Sequence, residues 1–530
     1  MVEWMRNERS AGVLLHITSL PGPYGIGDLG PEAYKFADQL SGSGQRYWQL
    51  LPVNPVHEGD FSPYSAIASM AGNTLFISPD QLVADGLLTV EEVNAYKLSP
   101  EESVDYESAV RIKAALLERA YQAFRKQPDH PFHDAFATYC THAADWLDDY
   151  ATYRALCAHY GNKPWQEWSK AHRRRDCVLT SEQRSMLERE KWWQFLFATQ
   201  WKALKDYCNG LGILLFGDLP IYVHPSAADV WAHPEIFEVD DKGHMTGIAG
   251  VPPDYFNDKG QLWQMPVYNW QQLKASNYAW WIKRMKRNLE WFDVIRLDHF
   301  RAFSAYWRVE PGSDTAIEGE WIAGPGNDFF DTLGEALEGL PFVAEDLGMI
   351  DDAVRKLRSD YGIPGMRVLQ FAFGDDMATS EHIPHQLERN IVLLTGTHDN
   401  NTTKGWYKEE ADKSVRRNLK KYTGQKVNPD KAHLVLSRMA YASVANTVIL
   451  PMQDVLGMPG SARMNVPSSV GGNWRWRMQE GAFSKKLMKR LKKWVARYGR
   501  AVKSEVDGQG KDDTATADIH IIVGEQQQDS

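Results

Sequence analysis

Short, almost uninterrupted apolar runs recur along this chain, each ending in polar residues and leading through a loop into a longer amphipathic stretch. The first covers residues 11–15 and passes into His16 and the Gly/Pro-rich loop SLPGPYGIGDLG. A helix, PEAYKFADQL, follows, opened by Pro31 at a favourable early helical position. Residues 47–51 form the second run and lead into PVNPVHEGDFSPYSA. Later runs are LGILLFGDLP, FDVIRLD, PFVAEDLG, MRVLQFAF, IVLLTGTHDN and ANTVILPMQD. Runs this apolar read as strands buried on both faces, as in a parallel sheet. Eight of them, separated by helical segments, predict a (β/α)8 TIM barrel, an α/β fold. An open doubly wound sheet is the alternative, weakened because no GxGxxG strand-to-helix fingerprint is present.

Between the second and third runs the period changes. AVRIKAALLERAYQAF, DAFATYCTHAADWLDDYATYRALCAHY and EQRSMLEREKWWQFLFATQWKALKDYC all carry apolar positions at helical spacing. The organisation expected is therefore a barrel start at 1–51, a large, mainly helical insertion at 52–205, and the rest of the barrel at 206–500. A substrate-covering insertion is expected at about 222–290. The segment KKLMKRLKKWVARYGR has eight basic residues with Leu487, Leu491, Trp494, Val495 and Tyr498 at helical spacing. It reads as a closing barrel helix with a solvated basic face, rather than a membrane-surface helix. Residues 504–530 are polar, with seven acidic residues against one Lys, and predict a disordered tail.

Composition narrows the partners. The net charge of −10 argues against nucleic acid and anionic membranes. No run approaches the ~18 apolar residues of a membrane span, and MVEWMRNERS lacks an apolar signal core, so a cytoplasmic protein is expected. Four cysteines without CxxC or metal-ligand spacing predict reduced thiols and no metal site. No cofactor is implied. The 20 Trp, 22 Tyr and 20 Phe stand out, because some fall in polar, turn-rich stretches where packing is a less natural role. Flat rings suit the apolar faces of sugars.

Four strand ends carry an acid: Asp218, Asp298, Glu345 and Asp399, at intervals of 80, 47 and 54 residues. In a barrel such ends converge on one mouth. Glycoside chemistry needs one carboxyl to protonate the leaving oxygen and another to attack or stabilise the anomeric carbon. Arg296 lies two residues before Asp298, hence on the same side of the strand, where its charge would keep Asp298 ionised. Glu345 would act as the acid if crowding by the other carboxylates raised its pKa.

These motifs are similar to those of the 4-α-glucanotransferases called amylomaltases or disproportionating enzymes, glycoside hydrolase family 77, relatives of the α-amylase barrel enzymes. The resemblance covers about residues 12–477 and rests on PYGIGDLG, SPYSA, GDLPIYV, ADVWAHPEIF, AGVPPDYF, GQLW, IRLDHFR, VAEDLG, GTHDN and ARMN with GNWRWR. It implies Asp298 as nucleophile, Glu345 as general acid/base and Asp399 as the acid that stabilises the transition state. It places Arg296, His398 and Asp218 around the reacting sugar, and Tyr64 and Trp263 along the glucan path. Ser62, Asp254 and Asn465 fall in matching binding segments. His16, at the end of the first run, is a further candidate for bonding sugar hydroxyls. The substrates implied are α-1,4-glucans and maltooligosaccharides, with glucose as an acceptor. Gln264 and Met265 replace the Gly-Asn common after GQLW, and Asn401 replaces an Asp common after GTHDN. Both touch acceptor and length preference rather than the acids. The residues alone leave two rivals open: a hydrolase using the same acids with water, and a catalytically dead glucan-binding protein.

Overall fold

The computed structural model describes residues 8–501 apart from 58, 60, 177, 254–256 and 470. Asp254 and the 504–530 tail therefore lie outside the described residues.

The eight apolar runs all become strands of one parallel sheet. They are β1 (Ser10–Leu14), β2 (Tyr47–Gln49), β3 (Leu214–Leu219), β6 (Val294–Leu297), β9 (Phe342–Ala344), β10 (Gly365–Val368), β11 (Ile391–Leu394) and β12 (Thr447–Pro451). Their order is β10-β11-β12-β1-β2-β3-β6-β9, and every pairing is parallel. The remaining seam is bridged where Ala344 N donates to Pro364 O at 2.8 Å, so the sheet is a nearly closed barrel and not an open one. Nearly every strand residue is buried, which is why the runs read as continuous rather than alternating. Close approach of β1 and β2 depends on Gly12, where a Cβ would lie 2.5 Å from the Cβ of Tyr47. At the opposite end of the barrel from the loops, the buried Arg500 guanidinium donates to the carbonyls of Ser10, Tyr441 and Asn446.

Between β2 and β3 the chain is helical, chiefly Tyr106–Arg125, Phe132–His142, Ala144–His159 and the 30-residue Ser181–Gly210. Thr180 opens the last of these with a capping box to Gln183. The basic segment forms the helix Lys485–Arg497, which buries Leu491, Trp494 and Val495 and turns its lysines outward.

A second sheet has no counterpart in the sequence reading. It is antiparallel, in the order β5-β4-β7-β8, from β4 (Ile248–Val251), β5 (Gln261–Pro266), β7 (Ala305–Val309) and β8 (Glu320–Ala323). Two pieces precede β6 and two follow it, so the sheet straddles the strand that carries Arg296. Its strands are short; β4 is largely buried, with Gly250 inside it, and β5, β7 and β8 are mostly half-buried or exposed, which leaves too little period-2 signal to read.

Candidate active site

β3 and β6 are in parallel register with Asp218 beside Arg296. The Arg296 side chain is 6% exposed and that of Asp218 0%. Arg296 Nη1 donates to both oxygens of Asp218, at 2.8 and 2.9 Å, and to Asp298 Oδ1 at 2.8 Å. Arg296 Nη2 lies 3.9 Å from Glu345 Oε2. One guanidinium thus reaches the three acids at the ends of β3, β6 and β9; Asp399, expected at a strand end, lies instead in the loop five residues beyond β11. The spacing Arg296–Asp298 puts both groups on one side, as two-residue periodicity requires.

Glu345 follows β9 directly. Its Oε2 accepts from His299 N at 2.8 Å and its Oε1 from Leu347 N at 3.1 Å. His299 reaches that position with a left-handed φ of 46°. Its ring meets Trp263 edge-on, with centroids 4.8 Å apart, so the β5 aromatic packs on the residue that holds Glu345.

Burial raises the pKa of Glu345 to about 8; Arg296 opposes this and the Asp298 charge adds to it. Burial is the leading cause and the Asp298 charge the smaller one, whereas crowding by carboxylates is the cause expected from the sequence. Burial also pushes Asp298 up, against the pull of Arg296. Asp298 has a direct bond to the cation and Glu345 does not, so a proton shared by the pair rests on Glu345. Asp399 goes the other way. Burial would raise it, but the His398 ring, with Nε2 at 3.4 Å from Oδ2, and the Asn465 amide, at 2.6 Å from Oδ1, hold it well below the usual carboxylate range.

Tyr64 links the two sides of the mouth. Its hydroxyl donates to Asp218 Oδ2 at 2.8 Å, and its ring stacks on His398 with centroids 5.1 Å apart. Trp474 stands 5.9 Å from both rings. Trp474 belongs to the segment GNWRWR, where nothing in the sequence marks this tryptophan above its neighbours. Ser62 accepts from Tyr64 N at 3.3 Å and lines, with Asn465 and Trp474, a cavity of about 780 Å³ whose link to the acids is the bond from Asn465 to Asp399. His16 lies deeper, on the wall of a small cavity shared with His398 and Arg463. Burial, helped by His398, lowers its pKa to about 3, so the ring is neutral. The structure therefore gathers every described candidate at the C-terminal mouth of the barrel, the end at which barrel enzymes build their sites. Among the described residues no cluster of three His, Cys, Asp or Glu side chains is placed to hold a metal, and no helix is long and apolar enough to cross a membrane.

Comparison with known proteins identifies the family of the chain. Residues 15–484 match the glycoside hydrolase 77 family model, described as 4-alpha-glucanotransferase. A 4-alpha-glucanotransferase of Synechocystis is 41% identical over 94% of this chain and 99% of its own length. One from Aquifex aeolicus is 42% identical over 93% and 100%. The amylomaltase of Streptococcus agalactiae, solved with acarbose, superposes with a TM-score of 0.89 at 36% identity, covering 93% of this chain and all of that one. Amylomaltase from Corynebacterium glutamicum, at 17% identity, shows the same fold with a TM-score of 0.74 over 94% of this chain and 76% of its own. With matches of this extent, the chain belongs to the 4-alpha-glucanotransferases of glycoside hydrolase family 77, enzymes of glucan transglycosylation.

Proposed function

We propose that the chain moves α-1,4-linked glucan segments from a donor maltooligosaccharide to the 4-hydroxyl of an acceptor glucan or glucose, by a retaining double displacement on Asp298. What supports this is the single Arg296 guanidinium, which bonds Asp298 at 2.8 Å while Glu345 lies 3.9 Å from it and has its pKa pushed up to about 8 by burial. That is the division of labour glycoside cleavage needs.

In the first step Asp298 Oδ2, which makes no hydrogen bond among the described residues, attacks the anomeric carbon. The bond to the departing 4-oxygen breaks with its electron pair on that oxygen, and Glu345 supplies the proton. A β-glucosyl ester on Asp298 results. In the second step Glu345, now a carboxylate, takes the proton of an incoming 4-hydroxyl. That oxygen attacks the anomeric carbon, the ester bond breaks, and Asp298 leaves as carboxylate. The α-linkage is restored. Asp399, ionised whenever the enzyme works, holds hydroxyls of the distorted ring and favours its cationic transition state. Tyr64, Trp263 and Trp474 offer ring faces to the glucan, and Ser62, Asp254, Asn465, His398 and His16 offer polar contacts.

Transfer rather than hydrolysis follows from the family's chemistry, and products decide it. Maltotriose as sole substrate should give a ladder of longer and shorter glucans with no net gain in reducing ends. Shorter sugars alone, with reducing ends rising, would establish a hydrolase.

The raised pKa of Glu345 sets the alkaline limb. Donor cleavage needs the protonated form, so kcat/KM should hold up to about pH 8 and then fall by about tenfold per pH unit. A profile already falling near pH 5, where an ordinary carboxyl has lost its proton, would contradict this assignment.

A further inference from the structure

Asp399 does not belong to a strand. It lies five residues beyond the end of β11, and its carboxylate is bonded by Asn465, fourteen residues beyond the end of β12. No strand pairing fixes these two loops against each other at that height. Asn465 N donates to the backbone oxygen of His398 at 3.1 Å, and Arg463 adds a second tie that reaches both loops. Its Nη2 donates to the backbone oxygen of Asp399 at 2.5 Å, and its Nε to the backbone oxygen of Asn465 at 2.6 Å. The third corner of the fork, Nη1, is 3.2 Å from Glu410 Oε1.

Glu410 is itself held. It ends the π-helical turn Trp406–Glu410, an irregularity that often accompanies functional sites. The Asn401 amide donates to Glu410 Oε1 at 2.9 Å and to Glu409 Oε2 at 3.1 Å, and Gln370 fixes the Asn401 carbonyl at 2.9 Å. One amide thus aims two carboxylates, one of them at Arg463. The side chains of Arg463 and Glu410 remain 22% and 43% exposed, so the pair adds little to fold stability and its effect is one of aim.

We propose that Arg463, backed by Glu410, is a positioning residue that sets Asp399 and Asn465 against the reacting sugar. This rests on the role of Asp399 given above. A guanidinium suits the task because it is a planar fork that can bond two carbonyls and a carboxylate at once, which a lysine cannot. The effect should appear in the transition state. Asp399 acts on the distorted ring, and a misplacement near 1 Å in such a group costs about 10²-fold. Loss of an interaction made only in the transition state lowers kcat and leaves KM in place.

The test compares Asp399→Asn, Arg463→Met, Glu410→Gln and the double variant Glu410→Gln/Arg463→Met, with maltotriose as donor and thermal unfolding as a control. Arg463→Met should lower kcat by about 10²-fold with KM within about twofold and an unchanged melting temperature. Glu410→Gln should lower kcat by a smaller factor, and the double variant should be no slower than Arg463→Met, because Glu410 acts through Arg463. If Arg463→Met does not fold, Arg463→Lys takes its place, with an intermediate loss expected. Activity near the parent's in Arg463→Met, a change confined to KM, or losses that multiply in the double variant would each overturn the proposal. Asp399→Asn separates the two levels. If it is fully active, the reading of Asp399 fails; if it is inactive while Arg463→Met is not, only the present inference does.

Discussion

Replacing Asp298 by Asn is expected to reduce turnover by at least about 10⁴-fold while glucan binding changes little. The amide keeps the shape of the side chain and can still accept from Arg296 Nη1 through its oxygen, so the geometry around the guanidinium survives. It cannot form the glucosyl ester. Kinetics on maltotriose together with calorimetric titration of a maltooligosaccharide separate the two quantities. An Asp298→Asn enzyme with appreciable turnover would remove the nucleophile from the account, as would one that folds and no longer binds glucans.

Glu345→Gln should cost about 10²–10⁴-fold on a maltooligosaccharide donor, the usual worth of general acid–base assistance. The loss should depend on the leaving group. A glycosyl fluoride needs no proton to depart, so formation of the ester should recover most of its rate with α-maltosyl fluoride. The second step should not recover, because the acceptor hydroxyl then lacks a base. The alkaline limb assigned to Glu345 should vanish from the same variant. Equal losses on both donors would mean that Glu345 holds structure, for instance by fixing His299 N and Leu347 N, rather than moving protons.

The barrel was legible because a parallel strand buried on both faces leaves a continuous apolar run, and all eight left one. Asp218, Asp298 and Glu345 were legible for the same reason, since their runs stop at the polar residue that faces the mouth; Asp399, read as a strand end, instead lies in a loop five residues beyond β11. The Arg296–Asp298 pair needed only the two-residue period of a strand. Contacts between loops were not legible. Nothing in the spacing of Asp399 and Asn465 foretells a 2.6 Å bond across 66 residues, nor that Arg463 braces both. Depth was hidden as well: the sequence shows that carboxylates cluster near Glu345 but not that burial acts on it more strongly. The antiparallel sheet escaped because its strands are too short and too unevenly buried to carry an alternating pattern, and Trp474 because a tryptophan in a Gly/Asn-rich segment gives no sign of what it faces.

In the proposed mechanism Asp298 becomes covalently attached to the glucan. Glu345→Gln with α-maltosyl fluoride is the most direct way to see it, since the ester should form and then wait for a base that is missing. Intact-mass measurement after acid quench should show one maltosyl unit per chain, and peptide mapping should place it on Asp298. No adduct during turnover of the fluoride, or an adduct on Asp218, Asp399 or any other residue, would contradict the account.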